Sequence, residues 1–235
     1  MILRRLTEHV KAQNWFAVGL DFLIVVLGVF IGLQVNNWNE ARKQADLQAK
    51  LLERLEEEFL ALEPVVADLV TFSQSAQKST ADVVNALRQE TPPTDEAAFR
   101  SALARANWAL SVPQVAAVYS ELLSTGRLAD IRDVELRKAL IRYGDAHERL
   151  ERTYPVATSV IFAPGSNYYR AVDWNMDSAT WIEDGAIVSY NWEVLRASRA
   201  EMQSWITFQY DLALFADAEL QEIRSILAIL AEDES

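Results

Sequence analysis

The chain has no cysteine, only seven glycines and six prolines, and two histidines in 235 residues. Without cysteine no disulfide and no thiolate-held metal can staple the fold, so packing must hold it in whichever compartment it occupies. So little glycine and proline supplies few of the turns that many short strands need. With abundant Ala, Leu, Glu and Arg, that scarcity favours long helices. Basic charge is also short, 22 Lys+Arg against 34 Asp+Glu for a net of −12. An acidic chain of this kind lacks the Lys and Arg stripes that phosphate backbones require, and nucleic acid is not an expected partner.

Long apolar runs are rare, with one exception. From Trp15 to Val35 the sequence reads WFAVGLDFLIVVLGVFIGLQV, which as a helix spans about 31 Å, close to the ~30 Å hydrocarbon core of a bilayer. A secretory signal peptide is the competing reading, since Arg4, Arg5 and Lys11 precede an h-region-like run from Phe22 to Leu33. The exit through Gln34, Val35, Asn36, Asn37 and Trp38 offers no small-x-small cleavage site, however. Trp15 and Trp38 bracket the run roughly 34 Å apart on a helix, where interfacial aromatic belts lie, and read as interface anchors. The expectation is an uncleaved anchor: a basic tail over 1–14, a transmembrane helix over 15–35, and a body over 36–235.

The positive-inside count is nearly even, with Arg4, Arg5 and Lys11 before the span and Arg42, Lys43 and Lys50 after it. Subtracting the three basic and two acidic residues of the first 35 from the totals leaves the body 19 Lys+Arg against 32 Asp+Glu. A body so acidic is not drawn to anionic cytoplasmic lipid. A short basic tail ahead of an apolar run acts as a signal-anchor, so the expectation is N-terminus inside and body outside.

Within the span, Asp21, Val25, Gly28 and Gly32 fall within about 60° of one another at 100° per residue, opposite Phe22, Leu23, Val26, Phe30 and Leu33. Gly28 and Gly32 make a GxxxG spacing that lets two backbones approach, and a membrane-embedded carboxylate prefers protein or water to lipid. This face is the candidate contact surface. The alternative is that Asp21 simply reaches the interface and the glycines are incidental.

The body reads as an all-α fold, a long-helix bundle continuing the transmembrane helix, with a small irregular aromatic-rich insertion. Trp38, Ala41, Ala45, Gln48, Leu52, Leu55, Phe59 and Leu62 alternate at steps of three and four. That seam suits either packing on the chain's own domain or a self-associating coiled coil. Pro64 is expected to open a second helix to Arg88 with Val65, Leu69, Phe72, Ala76, Val83 and Leu87 as its apolar face. Thr94 or Asp95 caps a short helix carrying Phe99, Leu103 and Trp108. Pro113 starts another that ends at Gly126, and Asp133 caps a helix carrying Leu136, Leu140, Tyr143, His147 and Leu150 that stops before Pro155. The texture then changes to aromatics, Tyr168, Tyr169, Trp174, Trp181, Tyr190 and Trp192, before helical spacing returns from about Val194 to Ala231. There Met202, Trp205, Ile206, Leu212, Phe215, Ile223, Ile226 and Leu230 share a broad face. This last helix is expected to pair with the one leaving the membrane, burying Leu55 and Phe59.

Two segments, GVFIGLQVNNWNEARK at 28–43 and VYSELLSTGRLADIRDVELRKALIRYGD at 118–145, resemble those of a bacterial family of single-pass membrane proteins known only as a domain of unknown function. The family usually carries Glu where this chain has Asp21. The resemblance implies a membrane anchor, in a bacterium that of the inner membrane, and a helical body, which the orientation argued above puts in the periplasm or the extracellular space. It carries no catalytic residues.

Chemistry is sparse. His9 and His147 have no His or Cys near them in sequence, Ser120, Ser124 and Ser204 lack a nucleophile-elbow context, and there is no phosphate or dinucleotide fingerprint. No enzyme and no cofactor are expected. Asp173, Asn175, Asp177 and Asp184 fall at the first, third, fifth and twelfth places of a calcium loop. Ser178 stands where the loop needs Gly and the twelfth ligand is normally Glu, so a solvated turn is the stronger reading. The sequence thus points to a membrane-anchored protein working by protein binding or self-assembly, with the bilayer and a second copy or a membrane protein as partners. An ion-coupled subunit using Asp21 is the alternative.

Overall fold

The computed structural model describes residues 15–175 and 186–233. The fold is all-α: seven helices, one 3-10 turn and a single two-stranded sheet among the described residues. The helices are α1 Trp15–Ala86, α2 Glu96–Ala106, α3 Ala117–Ser124, α4 Val134–Ile161, α5 Asn167–Ala171, α6 Trp192–Ala197 and α7 Arg199–Asp233. The 3-10 turn is Arg127–Asp130, and strands β1 Val172–Trp174 and β2 Ile187–Tyr190 pair antiparallel with a bulge between Asp173 and Trp174. The chain divides into two compact units, Met1–Leu52 and Glu53–Ser235.

In the first unit the described residues are helix alone. Every residue from 19 to 47 is exposed, and α1 is the one helix among the described residues long and apolar enough to cross a membrane.

The second unit is a bundle of three long helices, each with a buried stripe stepping by three and four residues, the geometry that keeps one seam turned inward. On α1 and just beyond it the stripe is Leu55, Phe59, Val66, Leu69, Ser73, Ala76, Thr80, Val83 and Leu87, with Leu62 half-buried between. On α4 it is Leu136, Leu140, Tyr143, His147, Leu150, Ala157 and Ile161. On α7 it is Met202, Trp205, Gln209, Leu212, Ala216, Glu219, Ile223, Ile226 and Leu230. Cross-links fix the directions. Thr80 meets Gln209 and Glu63 meets Arg224, so α1 and α7 run antiparallel. His147 meets Glu219 and Arg142 meets Glu222, so α4 and α7 do too. Leu55 and Phe59 are fully buried as expected, and Phe59 sets its ring edge-on to Tyr143 of α4 at 4.9 Å.

Two prolines are placed differently from the expectation. Pro64 lies inside α1 and opens no new helix; Pro155 lies inside α4, which runs on to Ile161. Both are exposed. A proline there removes one N–H and frees one carbonyl, and on the water side that carbonyl is hydrated, so the covered face carries the helix through. The apolar stripe consequently keeps its phase: Val66 is buried and Val65, expected inside, is half exposed.

The caps come partly from afar. Asp95 accepts from Ala98 N at 3.0 Å, and Asp133 accepts from Glu135 N at 2.7 Å and Leu136 N at 3.1 Å. The helix expected from Pro113 begins only at Ala117, where Glu58 of α1 accepts from the N–H groups of Ala117 and Val118. A carboxylate on two of the first helical N–H groups does the work of a local cap. Gly126 ends this helix with φ of +70°, the left-handed turn that glycine adopts without strain. Trp108 falls just beyond α2.

Around the small sheet the aromatics build a satellite core. Tyr168 is sealed, meets Trp205 edge-on at 5.1 Å, and donates from its hydroxyl to Leu103 O at 3.0 Å. Burial raises the Tyr168 hydroxyl well above its ordinary range. Phe99 lies between Tyr190 and Trp192, at 5.3 and 5.8 Å. Trp181 lies outside the described residues.

Candidate functional site

Two places combine features that packing alone does not require. The first is the apolar part of α1. Val25 is exposed, and a Cβ added at Gly28 or Gly32 would meet nothing within 4 Å, so the face formed with Asp21 is uncovered within one chain. The bulky side is equally bare, with Phe22 at 70% and Phe30 at 57% exposure. Trp38 stands exposed past the apolar run, and Trp15 opens the helix.

The second lies in the body, where polar residues occupy stripe positions on facing helices. Gln209 of α7 donates to Ala106 O at 2.8 Å, and its carbonyl lies 2.8 Å from the Thr80 hydroxyl, tying α1 and α7 to the end of α2. Almost three turns farther along α7, the fully buried Glu219 meets His147 of α4, with Nδ1 to Oε1 at 2.9 Å. The other oxygen, Oε2, is buried without a hydrogen-bond partner. Tyr143, one turn from His147, is sealed as well, and Ala116 N–H donates to its hydroxyl at 2.9 Å. Burial pushes that hydroxyl up; the Ala116 bond opposes the shift, and the negative charges of Glu219 and Glu58 add to it. Tyr119 packs edge-on against Tyr143 at 5.4 Å, on the spot where Gly144 has no side chain. A Cβ there would collide with the Tyr119 hydroxyl.

His147 also borders a cleft of about 520 Å³ lined by Val112, Pro113, Gln114, Val115, Ala117, Ser120 and Glu151. Sequence reasoning placed His147 on the inner face of its helix but found it no chemical partner, because Glu219 lies 72 residues away. A glutamate at an apolar stripe position is the signal that could have found the pair, since such a residue is rarely buried unless paired.

The calcium-like spacing gains no geometry. Asp173 is exposed on β1 and faces Ser189 across the sheet, and Asn175 donates its N–H to Ala186 O at 2.9 Å. Asp177 and Asp184 lie outside the described residues, among which no group of three metal-ligating side chains occurs. Comparison with known proteins returned no match, whether family model, curated protein or solved structure.

Proposed function

We propose that this is a single-pass inner-membrane protein whose basic tail stays in the cytoplasm and whose helical body stands outside. On this reading it works by assembling with a second copy of itself through the face formed by Asp21, Val25, Gly28 and Gly32. The observation that carries the reading is the complete exposure of residues 19–47 on a helix apolar enough for a bilayer. Identical anchors inserted the same way meet in parallel, so Gly28 faces Gly28 and the two backbones can close up, while the Phe22 and Phe30 side is left to lipid. The resemblance of residues 28–43 and 118–145 to a bacterial single-pass family supports the anchor and the helical body and names no chemistry.

The test is cross-linking in native membranes. Gly28→Leu fills open space in the single chain, so it leaves folding untouched and should abolish the cross-linked dimer. Equal yields from Gly28→Leu and wild type would end this reading. A reporter active only outside the cytoplasm, fused after Ser235, should work; activity from a cytoplasmic reporter alone would reverse the topology. A second reading rests on Asp21, the lone ionisable residue between Trp15 and Val35: an ion-coupled subunit needs that carboxylate. Loss of function in Asp21→Asn with the dimer intact would favour it.

A further inference from the structure

We infer that the contact between two copies continues past the apolar run along Val35, Asn39, Arg42, Asp46 and Ala49, as a polar neck held by crossed ion pairs between the chains. This neck presupposes the parallel pairing through Asp21, Val25, Gly28 and Gly32 proposed above. Continuing the same steps of four and three along α1 reaches those five positions in turn, and a strict seven-residue repeat keeps two helices in contact by winding them left-handedly. All five are exposed. The neighbouring stripe of Trp38, Ala41 and Ala45 is a poorer candidate, because its next members, Gln48 and Leu52, are already half-buried.

Charge selects the partner. Arg42 and Asp46 lie four residues apart with the basic residue first, the weaker order for a pair on one helix. Neither has an ion-pair partner among the described residues. In two parallel, in-register chains each Arg42 sits one layer before the other chain's Asp46, so the twofold axis makes two crossed pairs. Like charges meet within each layer, and the change of sign between layers balances them. A slip of one heptad would set Arg42 against Val35 or Ala49 and lose both pairs. Asn39 holds the kind of core position where a polar side chain fixes register and a two-stranded state. On the opposite side of the helix Gln44 donates to Glu40 at 3.0 Å, and that side is left to water. The next two positions of the repeat, Glu53 and Glu56, would gather four carboxylates with no base between them, so the neck ends at Ala49.

The experiment exploits the absence of cysteine: single-cysteine variants of the full chain are oxidised in native membranes, and the wild-type dimer is measured separately by amine cross-linking. A disulfide needs Cα atoms within about 7 Å, so Asn39→Cys and Ala49→Cys should form linked dimers at least about fivefold faster than Glu40→Cys and Gln44→Cys. With Asn39→Cys as the reporter, Arg42→Asp and Asp46→Arg should each slow the reaction about fivefold. Co-expressing those two chains, with tags of different size, should restore it as a mixed dimer, since every crossed pair is then again of opposite sign. Each chain alone carries like charges at both positions, so pairing within one helix cannot produce that recovery. Equal rates at all four cysteine positions, or no recovery on mixing, with the wild-type dimer present, would overturn the neck and leave the membrane contact standing. Absence of the wild-type dimer would overturn both.

Discussion

Residues 38–48 and 55–87 carry one alternation of threes and fours, yet they meet different surroundings. Trp38, Ala41 and Ala45 are exposed, Gln48 and Leu52 are half-buried, and from Leu55 the stripe is sealed by α4 and α7. Spacing makes a face; side-chain volume and available partners decide what covers it. The covered stretch offers Leu55, Phe59, Val66 and Leu69, each with enough apolar surface to be worth kilocalories on burial. The bare stretch offers mostly alanine, which gains little from a partner inside the same chain.

The largest expected effect separates the two stretches directly. Phe59→Ala should cost about 3–5 kcal/mol in denaturant unfolding of the detergent-solubilised protein, whereas Trp38→Ala should change it by less than about 0.5 kcal/mol. A Phe59→Ala loss below about 1 kcal/mol would erase the distinction. His147→Ala should cost about 3 kcal/mol or more by stranding the Glu219 carboxylate, and adding Glu219→Gln should restore most of it. Equal stability of the single and double variants would mean that the pair is not coupled.

Pro64 tests whether the covered stretch is a single helix. Pro64→Ala should raise stability by up to about 3 kcal/mol if the helix runs straight through, since it restores a missing hydrogen bond. If Pro64 instead began a new helix, the same change would be neutral or harmful. Gly144→Ala should lower the unfolding free energy by about 1–3 kcal/mol, because the new methyl displaces the Tyr119 ring from its place against Tyr143; no loss would mean that the ring moves freely.

The smallest effect is silent at neutral pH. Burial holds the Tyr143 hydroxyl above its ordinary range, so the unfolded chain releases this proton near pH 10 and the folded chain only later. In that interval the unfolded state binds fewer protons, and stability falls as pH rises. Tyr143→Phe should flatten the decline above pH 10 by at most about 1.4 kcal/mol per pH unit.

Local chemistry was legible in the sequence and global phase was not. Asp95, Asp133 and Gly126 announce helix ends because their side chains or backbone freedom act within three residues. Pro64 and Pro155 mislead because whether a proline breaks a helix depends on which side faces water, and only the packed bundle decides that. The same limit hid the start of α3, capped by Glu58 from 59 residues earlier. It also hid the His147–Glu219 pair, which exists only because α4 and α7 run antiparallel. The face formed by Asp21, Val25, Gly28 and Gly32 rests on helix geometry alone and could be drawn from the residues themselves.

The antiparallel partnership of α1 and α7 also sets a timetable for synthesis. Gln209, which meets Thr80, leaves the ribosome 129 residues after it, roughly 6–26 s at ordinary elongation rates. During that wait the apolar stripes of α1 and α4 have no third helix to close over them. The nascent chain therefore passes through a long interval in which proteases and chaperones see an open trough. Slowing translation between α4 and α7 would lengthen that exposure without altering a single residue.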